Sequence, residues 1–278
     1  MKTVEGVEEH EHGAGLRSRV MPVLDFTLEK YRELCEVILR NYEPLTVASY
    51  LMERPEGSVV ILRHDVDRRP ESALRMAELE NDLGIASTYY FRMKRGVFKP
   101  EIIRKIAGMG HEVGYHYEVL DKAKGDFERA IKIFEEELER FRELCEVRTV
   151  CMHGNPLTPW VNKDIWERYD FKEFGIIGEP YVSIDYNKVL YLSDTGRTWS
   201  AKFSLKDAKA RGVNVESTDD VIKLLKSREA DHVCILTHPN RWSDNFGDWL
   251  IELLGQSIKN VGKYLIGKRR KFDYEKKG

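Results

Sequence analysis

No two of the four cysteines (Cys35, Cys145, Cys151, Cys234) stand in a CxxC pair, so thiolate zinc sites and dithiol redox motifs lack support. Each lies inside an apolar segment, as buried free thiols do. No run of 18 apolar residues occurs, so no membrane-spanning helix is expected. The acidic start MKTVEGVEEHEHGAG lacks the apolar stretch of a secretory signal. These absences predict a cytoplasmic protein with no membrane partner. Excess charge is missing too: the net charge of −2 gives no electrostatic case for nucleic acid. No GxGxxG follows a strand-like run and no GxxxxGKS/T occurs, which leaves nucleotide cofactors unsupported.

What is present is a large core and a regular alternation. Hydrophobic residues make up 42% of 278 residues, enough for a single α/β barrel. Helical spacing of apolar residues is found over 25–42, 100–110, 127–144 and 244–265. Pro70 opens a helix that Gly84 closes, Ser217 caps another over 217–227, and a shorter helix falls near 164–169. Strand-like runs fall at 59–63, 86–91, 111–117, 148–152, 189–193 and 232–238, with a seventh candidate at 174–178. Strands alternating with helices predict right-handed βαβ units and a parallel sheet, closed or nearly closed into a barrel. The expected organisation is an N-terminal extension over 1–25, partly mobile, one barrel domain over 26–270 and a charged tail over 271–278.

Metal-capable residues crowd the ends of these strands. His64, Asp65 and Asp67 end the first, His116 and Glu118 the third, His153 the fourth, Asp194 the sixth and His238 the last. In a parallel barrel, all C-terminal strand ends open onto one face, where active sites are built. Asp65 and Asp67 share a face if their strand continues, as do His116 and Glu118. Carboxylates mixed with imidazoles suit a catalytic divalent cation, zinc first, with manganese, iron or cobalt as alternatives.

At these residues the chain resembles the polysaccharide deacetylases, carbohydrate esterase family 4, over roughly residues 57–240. RHDVD (63–67) sits where that family carries TFDDG, and LGIASTYYF (83–91) resembles its next strand. GHEVGYH (110–116) matches the family's GHEIGNH, and ILTH (235–238) resembles its last motif. The resemblance implies a deformed seven-stranded (β/α) barrel that removes an acyl group, most simply N-acetyl, from a carbohydrate. It also implies Asp65 as base, Asp67 and His116 as metal ligands and His238 as general acid, with the two aspartates interchangeable. The second histidine of the family's HxxxH falls at Leu120, so a third ligand must come from His153 or, second, Glu118. His64, Asp194, Arg197, Trp199 and Trp242 are further candidates for ligation or substrate contact, and Tyr115, Tyr117 and Trp160 for stacking on sugar rings. Two other readings compete. One is a glycoside hydrolase using a pair of carboxylates among Asp65, Glu118 and Asp194. The other is a non-catalytic carbohydrate-binding barrel, for which Leu120 is the best argument.

Overall fold

The computed structural model describes residues 24–155, 157–199, 215–245, 247, 249–253 and 255. Seven parallel strands form one curled sheet: β1 (Glu43–Leu45), β2 (Val59–Val66), β3 (Thr88–Phe91), β4 (Glu112–Tyr117), β5 (Val150–Met152), β6 (Leu190–Ser193) and β7 (His232–Thr237). Their order is β5-β4-β3-β2-β7-β6, with β1 beside the first half of β2. No pairing joins β5 to β6 among the described residues, so the barrel is open there.

Helices α1 (Leu28–Asn41), α2 (Val47–Glu53), α3 (Pro70–Asp82), α4 (Pro100–Gly108), α5 (Val119–Ala123), α6 (Phe127–Arg142), α7 (Pro180–Ser183) and α8 (Thr218–Ser227) connect the strands. Local chemistry sets several boundaries. Thr27, Asp126 and Ser217 accept backbone N–H groups at the starts of α1, α6 and α8, and Pro70 and Pro100 open α3 and α4. Three apolar clusters follow from the layering. One lies under α1 and α8, one under α4 and α6, and one inside the barrel around Ile61, Tyr90, Cys151, Tyr191, Cys234 and Leu236. Gly114 is required in β4, because a Cβ there would lie 2.4 Å from the Tyr90 ring and 2.7 Å from the Thr149 carbonyl oxygen.

Several expectations change. The seventh strand is β1, not 174–178, where only one isolated bridge joins Gly178 to Thr149. β1 has three residues and contains Pro44, so it carries no alternation to read. The helix near 164–169 is a 3-10 turn, Asn162–Glu167. Asp25 belongs to the domain rather than to an extension: its carboxylate accepts from the Thr218 backbone N–H at 3.0 Å. Residues 1–23 of the extension and the charged tail lie outside the described residues, as does all of 256–265; residues 247, 249–253 and 255 are helical. No helix among the described residues is long and apolar enough to cross a membrane.

β2 carries a buried polar network on its helix-facing side. Glu80 of α3 is fully buried and takes hydrogen bonds from Tyr31, Ser87 (2.6 Å) and Tyr89 (2.8 Å). His64 Nε2 lies 2.9 Å from Glu80 Oε1, and His64 Nδ1 meets the Thr237 hydroxyl at 2.6 Å. Burial pushes the Glu80 pKa up, but His64 and His111 and the Ser87 hydroxyl outweigh it and hold it at about 2. A carboxylate depressed in the folded state contributes stability above its unfolded pKa near 4.5 and loses it as pH falls towards 2. That contribution is about 3 kcal/mol at neutral pH. Glu80→Gln should therefore lower the melting temperature at pH 7 and flatten its fall between pH 5 and 3. Unchanged acid sensitivity in the variant would assign the acid transition to other groups.

Candidate active site

Residues 63, 65 and 67 point one way and His64 the other, because side chains alternate along an extended chain. β2 continues to Val66, so Asp65 and Asp67 share the inner face at the mouth of the barrel. His116 arrives from β4, His153 directly after β5 and His238 directly after β7. The structure brings these five residues to one cavity of about 200 Å³, lined also by Met152, Tyr181, Tyr191, Ser193, Thr195 and Arg241.

Asp67 is the centre of the cluster. Its Oδ1 lies 3.6 Å from His116 Nε2 and 3.5 Å from His153 Nε2, and its Oδ2 lies 4.0 Å from His238 Nε2. Asp65 Oδ2 is 3.7 Å from His116 Nε2. The His116 Nδ1–H is fixed on the Cys151 carbonyl oxygen at 2.9 Å, which turns Nε2 towards the carboxylates. Among the described residues, Asp67 Oδ1 is sealed from solvent and receives no hydrogen bond. An orphaned carboxylate oxygen between two imidazole nitrogens is costly unless a cation joins them. The mixed oxygen and nitrogen donor set fits a divalent ion of the zinc type.

The electrostatics agree with this fit. Burial pushes Asp67 up, but the neighbouring His116, His153 and His238 imidazoles hold it well below the usual range. Burial lowers His116, yet Asp65 and Asp67 raise it overall, so the site draws in positive charge. Burial, with His116 and Arg92 nearby, pushes His153 down to about 4 against the pull of Asp67. A neutral imidazole offers its lone pair to a cation.

Asp65 is anchored from below. Arg63 Nη2 donates to its two oxygens at 3.0 and 3.1 Å, and also meets Cys151 Sγ at 3.0 Å and the Tyr181 hydroxyl at 3.3 Å. Burial raises the Asp65 pKa, but Arg63 and then His116 and His238 hold it below the usual range, so it is ionised at neutral pH. Across the mouth, His238 is held by Asp194. The Asp194 carboxylate accepts from His238 Nδ1 (2.6 Å), the His238 backbone N–H (2.9 Å), Arg241 Nη1 (2.7 Å) and Trp242 Nε1 (3.0 Å). This arrangement leaves His238 Nε2 towards the cavity.

Other candidates are placed elsewhere. His64 is not a ligand: it faces Glu80 and stacks on Tyr89 at 4.3 Å between ring centres. Trp199 and Trp242 are 2% and 1% exposed and pack with Phe26 and Tyr31, so neither is a sugar platform. Arg197 donates to the Trp249 carbonyl oxygen and lies over the Phe26 and Trp249 rings, away from the cavity. Tyr115 and Tyr117 face α6 and pack on Phe134, and the half-buried Trp160 donates to Asp121 at 2.7 Å. Glu118 pairs with Arg92 and lies 3.5 Å from His153 Nδ1, so it stands behind His153 and outside the cavity lining. Leu120 belongs to α5 and is fully buried in the core under α6. A ligand at that position would point away from the site, so the gap there does not argue against a metal.

Sequence reasoning missed Arg63, Tyr181, Tyr191 and Arg241. Arg63 was within reach, since it precedes Asp65 by two residues on the same strand. The others needed the fold, because they come from a four-residue helix, a strand interior and a turn distant in sequence.

No family model matches the chain, and no curated protein matches it. Among solved structures, a mutant of a CE4 family pseudoenzyme with restored enzymatic activity aligns at 13% identity and a TM-score of 0.40, over 74% of this chain and 65% of that one. The wild-type pseudoenzyme, from Bacillus anthracis, aligns at 11% identity and 0.37, over 74% and 62%. The CE4 domain of a multidomain xylanase from the hindgut metagenome of Trinervitermes trinervoides aligns at 13% and 0.34, over 75% and 85%. This chain therefore spans just under two thirds of the pseudoenzyme structures. Likenesses of this size carry no argument about substrate or activity.

Proposed function

We propose that the chain is a divalent-metal-dependent hydrolase that removes an acyl group, N-acetyl most simply, from a sugar or sugar-like substrate. The observation that carries this reading is Asp67 Oδ1, buried without a donor and flanked by two imidazole nitrogens at 3.6 and 3.5 Å. Asp67, His116 and His153 would hold the cation, zinc first. When bound, such an ion supplies Lewis acidity and brings the pKa of a water near 7.

The chain's own residues do the rest. Asp65, ionised and fixed by Arg63, accepts the proton of the attacking water. His238 Nε2 delivers a proton to the leaving nitrogen, while Asp194 holds its Nδ1–H and so its orientation. The glycosidase reading loses ground on the same geometry. Asp194 is fully buried with four donors on it, and Glu118 is bound to Arg92, so of the three carboxyls that reading draws on only Asp65 lines the cavity.

Metal analysis of freshly purified protein, followed by acetate release from acetylated sugars with and without chelator, tests the reading. About one divalent ion per chain and acetate release that the chelator stops and the metal restores are expected. Metal-free protein that releases acetate unchanged in chelator would refute it.

A further inference from the structure

Arg241 lines the cavity, yet the reaction set out above uses only one of its nitrogens. Nη1 donates to the Asp194 carbonyl oxygen at 2.6 Å and to its carboxylate at 2.7 Å, and lies 2.8 Å from His238 Nδ1. Among the described residues, the hydrogen bonds of the side chain run through that atom. A guanidinium carries five N–H donors in a planar fork. Arg241 lines the cavity with its side chain 9% exposed, and its Nε and Nη2 make no hydrogen bond among the described residues. These two nitrogens can serve a group that enters the cavity.

The surroundings say what kind of group that is. Ser193 and Thr195 line the cavity and share a hydroxyl contact at 2.7 Å, and the half-barrel's Tyr181 and Tyr191 add two more hydroxyls. Three carboxylates (Asp65, Asp67, Asp194) stand against two guanidinium groups (Arg63, Arg241). A divalent cation turns that net charge of −1 into an excess of one positive charge. The excess is concentrated in a small space where charge is poorly screened. At about 200 Å³ among the described residues, the cavity is also smaller than most small-molecule sites, which run about 300–1,000 Å³. That size suits one sugar unit.

We infer that the substrate is a small N-acylated compound carrying a carboxylate or phosphate, and that Arg241 is the residue that selects for this anion. The inference rests on the deacylase reading, since the positive excess requires the bound cation. Arg241 pairs with the anion through its unused fork, as arginine does with carboxylate and phosphate. It thereby orders the acyl group between Asp65 and His238.

The test compares N-acetylglucosamine, its 6-phosphate and its 6-carboxylate on zinc-loaded protein. A charged hydrogen-bond pair predicts kcat/KM about 10–100-fold higher for an anionic form than for the neutral sugar. Which of the two anions gains shows whether phosphate or carboxylate is read. Arg241→Gln should abolish that ratio, and Arg241→Lys should retain part of it, whatever either does to the absolute rate through Asp194. Calorimetry provides a readout independent of turnover: zinc-loaded protein should bind the anionic compound more tightly than the neutral one, and metal-free protein should not. Equal kcat/KM and equal affinity for all three compounds in the wild type would overturn the inference and leave deacylation standing. Zinc-dependent binding of an anion, lost in Arg241→Gln, without any acetate release would support the anion site and sink the deacylase reading instead. Should Arg241→Gln fail to fold, the wild-type ratio and the Arg241→Lys protein decide.

Discussion

Asp67→Asn protein is expected to fold, to bind no zinc and to release acetate at about one thousandth of the wild-type rate or less. Three observations set this magnitude apart from an ordinary surface change. Asp67 lies 3.6, 3.5 and 4.0 Å from His116, His153 and His238 and so joins all three imidazoles of the cluster. Its Oδ1 has no hydrogen bond to lose, so the amide forfeits little packing. Its side chain remains a quarter exposed, which keeps the cost in stability small. Loss of several kcal/mol of charge stabilisation in the transition state corresponds to roughly three decades in rate. His116→Ala should lose the metal as well. Metal content by atomic emission, melting temperature and acetate release on both proteins check the assignment. Full zinc occupancy in Asp67→Asn would remove Asp67 from the ligand set and return it to the role given to Asp65.

The second large effect belongs to His238. Pro239 turns the chain out of the sheet immediately after it, which leaves the imidazole at the cavity wall. Asp194 fixes Nδ1 and faces Nε2 inwards. A residue so placed can give its proton to a departing nitrogen. His238→Ala should lower turnover by about 10²–10⁴-fold and leave metal content near wild type. Asp194→Asn offers a second readout. It replaces an acceptor that serves four donors with an amide that can satisfy only some of them. It should cost melting temperature as well as rate, whereas His238→Ala should cost mainly rate. Turnover near wild type in His238→Ala would assign the ring to holding the Pro239–Arg241 turn and nothing more.

Much of the scaffold was legible before any coordinates. Helix caps and prolines marked α3, α4 and α8, and β-branched runs marked β2 and β7, because these signals act within a few residues of chain. β1 and α7 were not legible. A three-residue strand and a four-residue helix have too few positions to show a period, and both exist because the rest of the barrel gives them a surface to lie on.

The site divides the same way. The spacing of Arg63, Asp65 and Asp67 along one strand determined that they share a face, and the same alternation set His64 on the other side. Their positions at strand ends determined that His116, His153 and His238 would gather at one mouth, since parallel strands end together. Which of the two faces looks inward was decided only by tertiary structure, when α3 brought Glu80 under His64 and left the opposite face to the barrel. Tertiary structure alone also gave Leu120 to the core, Trp199 and Trp242 to the packing around Phe26, and Arg241 to the cavity wall. Local sequence encodes the period of each element; the partner across each face depends on how the sheet curls, and that is a property of all seven strands at once.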